Sequence, residues 1–515
     1  MSGAPLVEVR PDTYLDSVLL LSASRSLLES PGVEWGAALM GTPANLDLLR
    51  SEGMPAGAFS GVRANDLVLA VRAVSADAAT AALEAAREGL LGKRHAASGG
   101  EPVQRVRAIS DAVGLLPDAN VAIVSVPGQF AALEAHHALS AGLHVLLFSD
   151  NVSVAEEVDL KQRGRDLGLL VMGPGAGTAM LGGVGLAFAN EVRTGPIGVV
   201  AAAGTGAQEV MSLVDRFGLG CSHVIGVGGR DLSAAVGGTM TRMALSALEE
   251  DPSTSTILLV SKPPAAGVAA EVLATRGTKP LVAALIGMDA SVRAPSRVHL
   301  VRSLEAGAVR AVELSGAPPP SPASGLATAA GAAVKGLAPA RHAVRGLFSG
   351  GTLCFETMVL LAERLGPVHS NTPLRPEWAL PAPPGAHICL DLGEEEYTRG
   401  RPHPMIDAEA RAEHIRREAA DPAVGVVLID VVLGYGSHPD PAGVLAPVVA
   451  EVTADPRGPR VVAYVLGTDR DPQGADGQRR QLAEAGCVIA PTGARAALLA
   501  AAIAGRQPEV AEEAV

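Results

Sequence analysis

Short apolar runs alternate with amphipathic stretches along most of this 515-residue chain, and no other feature limits its fold as strongly. Val121–Val126, His144–Phe148 and Leu169–Met172 read as strands, with helices over Gly128–Ala141 and Ser153–Leu167 between them. The same order returns with Ile197–Ala202, His223–Val227, Thr256–Val260, Pro280–Leu285 and Arg297–Val301, whose helices begin near Gly206, Leu232, Ala265 and Ser303. It returns again with Leu347–Phe348, His387–Leu392, Gly425–Asp430, Arg460–Leu466 and Val488–Ala490. Strands separated by helices predict parallel sheets covered on both faces, a doubly wound α/β architecture.

The length predicts about three or four domains. Residues 1–100 form an α+β amino-terminal extension, with strands at Val7–Val9, Val33–Met40 and Asp66–Val74. Helices there span Tyr14–Glu29, Thr42–Glu52 with Thr42 as cap, and Ala76–Leu90. Residues 101–194 and 195–314 are two α/β segments. Residues 315–345, rich in Pro, Ala, Ser and Gly, read as a linker to a last α/β segment, 346–515.

Charge and composition remove several function classes. With 41 Lys+Arg against 54 Asp+Glu the net charge is −13, and aromatics are 3% of residues. Such a chain suits neither phosphate-backbone binding nor base stacking, so no nucleic-acid partner is expected. Only five of the cations are lysines, which makes an ATP-driven mechanism less comfortable. Cys221, Cys354, Cys389 and Cys487 are far apart and form no CxxC pair, so no metal site and no disulfide framework is expected. No signal peptide is evident, and every apolar run is broken before about 18 residues. The expectation is a cytoplasmic protein with no membrane contact.

Two glycine turns share one design. Val199–Glu209 and Gly346–Glu356 each give a strand, a glycine turn, a threonine and a helix with a glutamate near its first turn. Free amides and the positive dipole end make such termini anion sites. Gly204, Thr205 and Gly206 in the first, and Ser349, Gly350, Gly351 and Thr352 in the second, are therefore the candidate phosphate-binding residues. The plain alternative is a tight strand-to-helix connection; the matched pair tilts the reading to function. Gly175, in the run Gly173–Thr178, and Arg230, in Gly226–Asp231, are further substrate-binding candidates at sheet edges. Arg230 has the alternative of pairing with Asp231.

Asp391–Asp407 leaves a strand end with acids and continues through Arg399, Arg401, Pro402, His403 and Pro404 to Asp407. Arginine forks suit a carboxylate or a phosphate. Arg399 and His403 are the catalytic candidates, and Arg401 and Asp407 the substrate-binding ones; a solvated charged loop is the alternative. Leu433–Pro439 is a third candidate, with an ordinary βα loop as its alternative; His136-His137 reads as helix-surface or packing histidines, and no HExxH, GxSxG or GxxxxGK[ST] stands in its expected context.

These motifs give the chain a resemblance. Asn120–Ser153 and Val171–Thr178 resemble the second part of the CoA-binding domain of the succinyl-CoA synthetase α subunit. Gly195–Val210 and Leu219–Leu232 resemble its first ligase domain, and Ile388–Asp407 and Gly425–Gly436 the carboxyl-terminal domain of the β subunit. The order is that of the FdrA family, whose amino-terminal extension the first hundred residues match. The resemblance implies Rossmann-like and flavodoxin-like sheets and two helices, after Gly204–Gly206 and after Gly350–Thr352, whose amino termini point at one site. It also implies that Glu209 takes the place of a catalytic supporting glutamate.

Three parts of those synthetases are not recognisable here. The Gly-His-Ala-Gly loop is replaced by Leu285–Ala308, where His299 reads as structural; the linker stands in place of an ATP-grasp domain; and the first CoA loop is missing. The resemblance therefore implies a carbamoyltransferase subunit, converting carbamoyl phosphate and oxamate to oxalurate and phosphate in ureide nitrogen catabolism. No cofactor is expected; carbamoyl phosphate or phosphate is the expected ligand, with CoA less favoured. A small carboxylate or amide substrate, partner subunits and an oligomer are the expected partners. A divergent NDP-forming acyl-CoA synthetase and a non-catalytic scaffold are the alternatives.

Overall fold

The computed structural model describes residues 4–13, 15, 17–28, 30–96, 106–275, 277–288, 294–398 and 402–515. The described residues divide into two compact units, one within 1–106, the other within 107–398 and 403–515.

In the first unit, strands β1 (Ala4–Arg10), β2 (Val33–Met40) and β3 (Leu67–Ala73) form an antiparallel sheet ordered β1-β3-β2. Helices α1 (Ser17–Leu28), α2 (Pro43–Ser51) and α3 (Ala76–Ala96) complete it. The central strand β3 shows the period of two directly. Leu67, Leu69, Val71 and Ala73 join the core under α1 and α3, while Val68 and Ala70 face the opposite core with Leu49, Met54 and Phe59. Thr42 caps α2 by accepting from the Asn45 amide at 3.4 Å, as its position before Pro43 predicts.

The second unit begins with α4 (Ile109–Leu115) and the parallel strands β4 (Val121–Val124), β5 (His144–Leu147) and β6 (Val171–Met172), crossed by α5 (Gly128–Ser140) and α6 (Val154–Leu167). A hairpin of β7 (Thr178–Leu181) and β8 (Val184–Ala187) follows. It joins the next sheet antiparallel to it, through Met180 opposite Val224. The expectation of an all-parallel sheet fails at this edge, because Gly182 and Gly183 form a two-residue turn between short apolar pairs.

That sheet has seven strands, ordered β13-β12-β11-β9-β10-β7-β8. Its parallel part is β9 (Thr194–Ala202), β10 (Cys221–Gly226), β11 (Thr256–Ser261), β12 (Leu281–Leu285) and β13 (Val298–Val301). Helices α7 (Gly204–Arg216), α8 (Thr239–Glu250), α9 (Ala266–Leu273) and α10 (Leu304–Leu314) cover it. Helix α8 starts seven residues later than expected from Leu232, because Gly237 and Gly238 sit at positive φ and end a turn.

The expected linker is not irregular throughout. Leu326–Val334 forms α11, with Leu326, Ala330 and Ala333 buried. Six parallel strands then build the last sheet: β14 (Ala343–Phe348), β15 (Val368–His369), β16 (His387–Asp391), β17 (Val424–Val432), β18 (Arg460–Leu466) and β19 (Val488–Ala490), ordered β15-β16-β14-β17-β18-β19. Its helices are α12 (Gly351–Leu365), α13 (Glu395–Thr398), α14 (Glu409–Ala419), α15 (Pro441–Thr453), α16 (Ala475–Glu484) and α17 (Gly493–Ala504). One hydrophobic core runs through α7, α10, α11, α12 and α17, filling the space between the two larger sheets. Every residue of α17 is buried, which its seven alanines permit by letting backbones approach closely.

Lys161 ties the three-stranded segment to its neighbour. Its Nζ lies 2.8 Å from both Glu157 and Asp231 and donates to the Val227 carbonyl at 2.9 Å, with the side chain 1% exposed. Removing one partner of a buried ion group leaves unpaired charge. Lys161→Ala is expected to lower unfolding stability by about 3–5 kcal/mol in urea titrations, whereas a surface change such as Arg416→Ala is expected to cost about 1 kcal/mol or less.

Candidate functional site

The two glycine turns come together. Thr352 at the start of α12 donates its backbone N–H to Thr205 Oγ1 at the start of α7, at 3.2 Å. A β-carbon built on Gly350 would lie 2.8 Å from Thr205 Cγ2, and one on Gly206 would lie 3.0 Å from Thr352 Cγ2. Only glycine lets the two helix starts approach this closely.

Their electrostatics differ. Asp430, at the buried end of β17, accepts from the Ser349 amide at 2.8 Å, the Ser349 hydroxyl at 2.9 Å and the Gly350 amide at 2.9 Å. Arg411 of α14 pairs with Asp430 at 3.0 Å and also donates to its carbonyl. Asp391, at the end of β16, presses its carboxylate against Gly351, where any β-carbon would collide with it. The amides of Ser349 and Gly350 are thus spent on Asp430, which corrects the expectation that they hold phosphate. Helix α7 has no side-chain cap, and the space a side chain would take at Gly204 is open. Of the two termini, the second has its preceding amides held by a carboxylate, and the first has none so held among the described residues.

Asp391 faces this junction in a mixed environment. Burial raises its carboxyl to about 6, while Lys262 pulls it down and Glu394 pushes it up. Asn371 braces the aspartate backbone on both sides, donating to the carbonyl at 2.9 Å and accepting from the amide at 3.0 Å. His403 Nε2 and Asp391 Oδ1 both lie against Gly393, 2.7 Å and 3.2 Å from the position of a β-carbon there. His403 Nδ1 accepts from the Met405 amide at 3.2 Å, and burial, with Arg411 nearby, lowers the ring to about 4. At neutral pH the ring is therefore uncharged, with its proton on Nε2 as a donor.

Glu209 and Glu356 occupy matching places on α7 and α12, and both are fully enclosed. Glu209 accepts from the Tyr464 hydroxyl at 2.5 Å and from the Gly493 amide at 3.2 Å, and burial raises it to about 7. Glu356 accepts from the Leu304 amide at 2.6 Å and is raised by burial to about 8. Its Oε2 has no hydrogen-bond partner among the described residues, as a protonated carboxyl tolerates better than an ionised one. Glu209 thus belongs to the packing between the two sheets and faces no open space, which corrects its reading as a catalytic support.

The other expectations scatter. Gly175, at φ +67°, donates to the Ser149 carbonyl at 3.1 Å where the loops after β5 and β6 meet. Arg230 pairs with Glu157 at 2.8 Å and donates to the Val152 carbonyl. Because Lys161 and Thr241 already hold Asp231, neither the free-anion reading nor the Asp231 pairing describes Arg230. Asp407 accepts from the Glu409 amide at 3.0 Å as a local turn at the start of α14, not as a substrate contact. Arg399 and Arg401 lie outside the described residues. The sequence reading overlooked Asp391, Asp430, Lys262, Arg411 and Asn371 as site residues. The available signal was a lone acid set within an apolar run, in Ile388–Leu392 and Val426–Leu433.

A family profile described as CoA-ligase matches residues 347–503. One described as AllF, heavy metal-associated domain, matches residues 3–106. That segment contains none of the four cysteines, so thiolate ligation of a soft metal does not fit it. The chain is 39% identical to the uncharacterized protein YahF of Escherichia coli (strain K12) over 505 residues, 96% of this chain and 97% of that one. It is 28% identical to the succinate–CoA ligase [ADP-forming] subunit alpha 2 of Archaeoglobus fulgidus over 28% of this chain and 50% of that protein. The ADP-forming sulfoacetate-CoA ligase subunit SauD of Bilophila wadsworthia is 29% identical over 33% of this chain and 61% of its own. The relatives with a named activity are ligase subunits, and this overturns the expectation of a carbamoyl-group transferase. No helix among the described residues is long and apolar enough to cross a membrane.

Burial of Glu209 and Glu356 has a measurable sign. Both folded values, about 7 and about 8, lie above the ordinary 4.5, so the folded state holds these protons at pH values where the unfolded chain has released them. Their contribution is whole below about 4.5 and declines as pH rises through 7 and 8. Unfolding free energy is expected to fall from pH 5 to 9, with a shallower fall in Glu356→Gln.

Proposed function

The chain belongs to the family of YahF, a group of succinyl-CoA-synthetase-like proteins, and from that premise we propose that it carries out the thioester-forming stage of a CoA ligase. Within that family we place it with the FdrA-type fusions, on the order of its segments. The substrate class is an acyl phosphate derived from a small carboxylic acid. The CoA thiol attacks the acyl carbon, a C–S bond forms, the C–O bond to phosphate breaks, and phosphate leaves.

The observation that carries this reading is the junction of α7 and α12 with Asp391 beside it. At neutral pH Asp391, raised to about 6, is ionised yet basic enough to take the thiol proton. The terminus of α7, open at Gly204, supplies amide and positive dipole where negative charge builds on the leaving phosphate. Neutral His403 donates from Nε2 towards the same edge. Asp430 and Arg411 fix the second turn without adding net charge. Partner subunits that generate the acyl phosphate fit this reading.

The test is formation of acetyl-CoA or succinyl-CoA from the acyl phosphate and CoA, followed as thioester absorbance. The rate is expected to rise with pH through about 6 and then level off. Asp391→Asn is expected to lower it about 10²–10⁴-fold, the usual worth of a positioned base. No thioester with either acyl phosphate, or an Asp391→Asn variant as fast as the wild type, would sink the proposal.

A further inference from the structure

Along β11 the side chains alternate between two cores. Leu258 and Val260 belong to the core shared with α7 and α12, while Ile257 and Leu259 face the opposite one. Val260 reaches α7 itself, with Cγ1 3.1 Å from the position of a β-carbon on Gly206. Lys262 is the next residue of this alternation, one position past the strand. Ser261 pairs with Ala202, so Lys262 stands at the sheet edge beside Ala203, the residue that leads into α7. Its Nζ lies 5.7 Å from the centre of the Phe355 ring, one turn along α12 from Gly351. Lys262 is half-buried, so the side chain still meets solvent.

The other charges at the junction are already committed. Arg411 is paired with Asp430 at 3.0 Å, and His403 is neutral. Asp391 and Glu394 add negative charge. Lys262 acts on Asp391 across space, yet its ammonium forms no ion pair with a carboxylate among the described residues. A phosphoryl group brought to Gly204 would be repelled by Asp391, and a cation near both offsets that repulsion. An ammonium is a compact charge with three donors, which suits phosphate oxygens.

We propose that Lys262 is a substrate-binding residue of the junction, donating from Nζ to the phosphoryl oxygens of the acyl phosphate while Gly204 meets them from the α7 side. This rests on the reading of the junction as an acyl-phosphate site and extends it, because the ligand is then selected by its phosphoryl group and the acyl part can vary. When the C–O bond breaks, its electron pair stays on the phosphate oxygen, and the ammonium offsets the added charge. The thiol proton goes to Asp391, and no proton moves to or from Lys262.

The full chain would be titrated calorimetrically with inorganic phosphate, as wild type, Lys262→Gln and Lys262→Arg. Lys262 lies outside the buried core, so both variants are expected to fold. Phosphate is expected to bind the wild type saturably, to bind Lys262→Gln about tenfold or more weakly, and to regain most of that affinity in Lys262→Arg. In the thioester assay Lys262→Gln is expected to raise KM for acetyl phosphate and succinyl phosphate alike and to leave KM for CoA unchanged. No phosphate binding by the wild type, or unchanged affinity in Lys262→Gln, would overturn the proposal. So would a rise in KM confined to succinyl phosphate, since Lys262 would then be reading the second carboxylate. Phosphate binding that depends on Lys262, without thioester formation, would uphold the role of Lys262 and sink the ligase reading instead.

Discussion

Two helices whose positive ends face each other repel, and the arrangement of this protein's second unit depends on how that repulsion is met. The contact is intimate: the Thr352 amide donates to Thr205 Oγ1, and glycines at 206 and 350 leave no room for side chains. Carboxylates offset the repulsion from one side only. Asp430 takes the Ser349 and Gly350 amides, and Asp391 lies against Gly351, so the α12 terminus is neutralised by the chain itself. No carboxylate among the described residues takes the α7 amides. The result is an asymmetric junction, with base and positive dipole side by side, and it is this asymmetry that makes the pair useful for chemistry.

The interior behind the junction has a related character. Glu209 and Glu356 are carried one turn inside α7 and α12 and end in a layer closed to water. Burial moves both upward, so they are easily held as neutral acids, bonded to Tyr464, Gly493 and Leu304. Glu305, in the same layer, takes the other solution and pairs with Arg495 at 2.6 Å. Polar groups thus fix the register of helices that are otherwise largely alanine and leucine, above all α17, and hold the two termini in place.

Much of the architecture was legible because it rests on local periodicity. Arg460–Leu466 and Val488–Ala490 fall on β18 and β19 as read, and Thr42 caps α2. The matched glycine turns did predict two helix starts. What escaped was settled by contacts distant in sequence. Nothing local shows that Asp430 would reach back 80 residues to the Gly350 amide, or that Glu157 would claim Arg230. The hairpin of β7 and β8 gave no strand signal, because its strands are only four residues each. Helix α11 was hidden by a Pro- and Gly-rich surround, although Leu326, Ala330 and Ala333 carry its buried stripe. The transferase reading followed from parts of a synthetase not recognisable in the sequence, whereas the parts present match CoA ligases.

Everything proposed for the junction turns on one group, the Asp391 carboxyl, held by burial between the strand end and Gly351. Its titration is directly observable by carbon-13 NMR of aspartate-labelled protein, with the resonance identified by its loss in Asp391→Asn. The expected result is a midpoint near 6 that moves upward when inorganic phosphate binds, since a second negative charge at the α7 terminus disfavours the carboxylate. A midpoint near the ordinary 3.8, indifferent to phosphate, would contradict the assignment of Asp391 as the base beside the anion site.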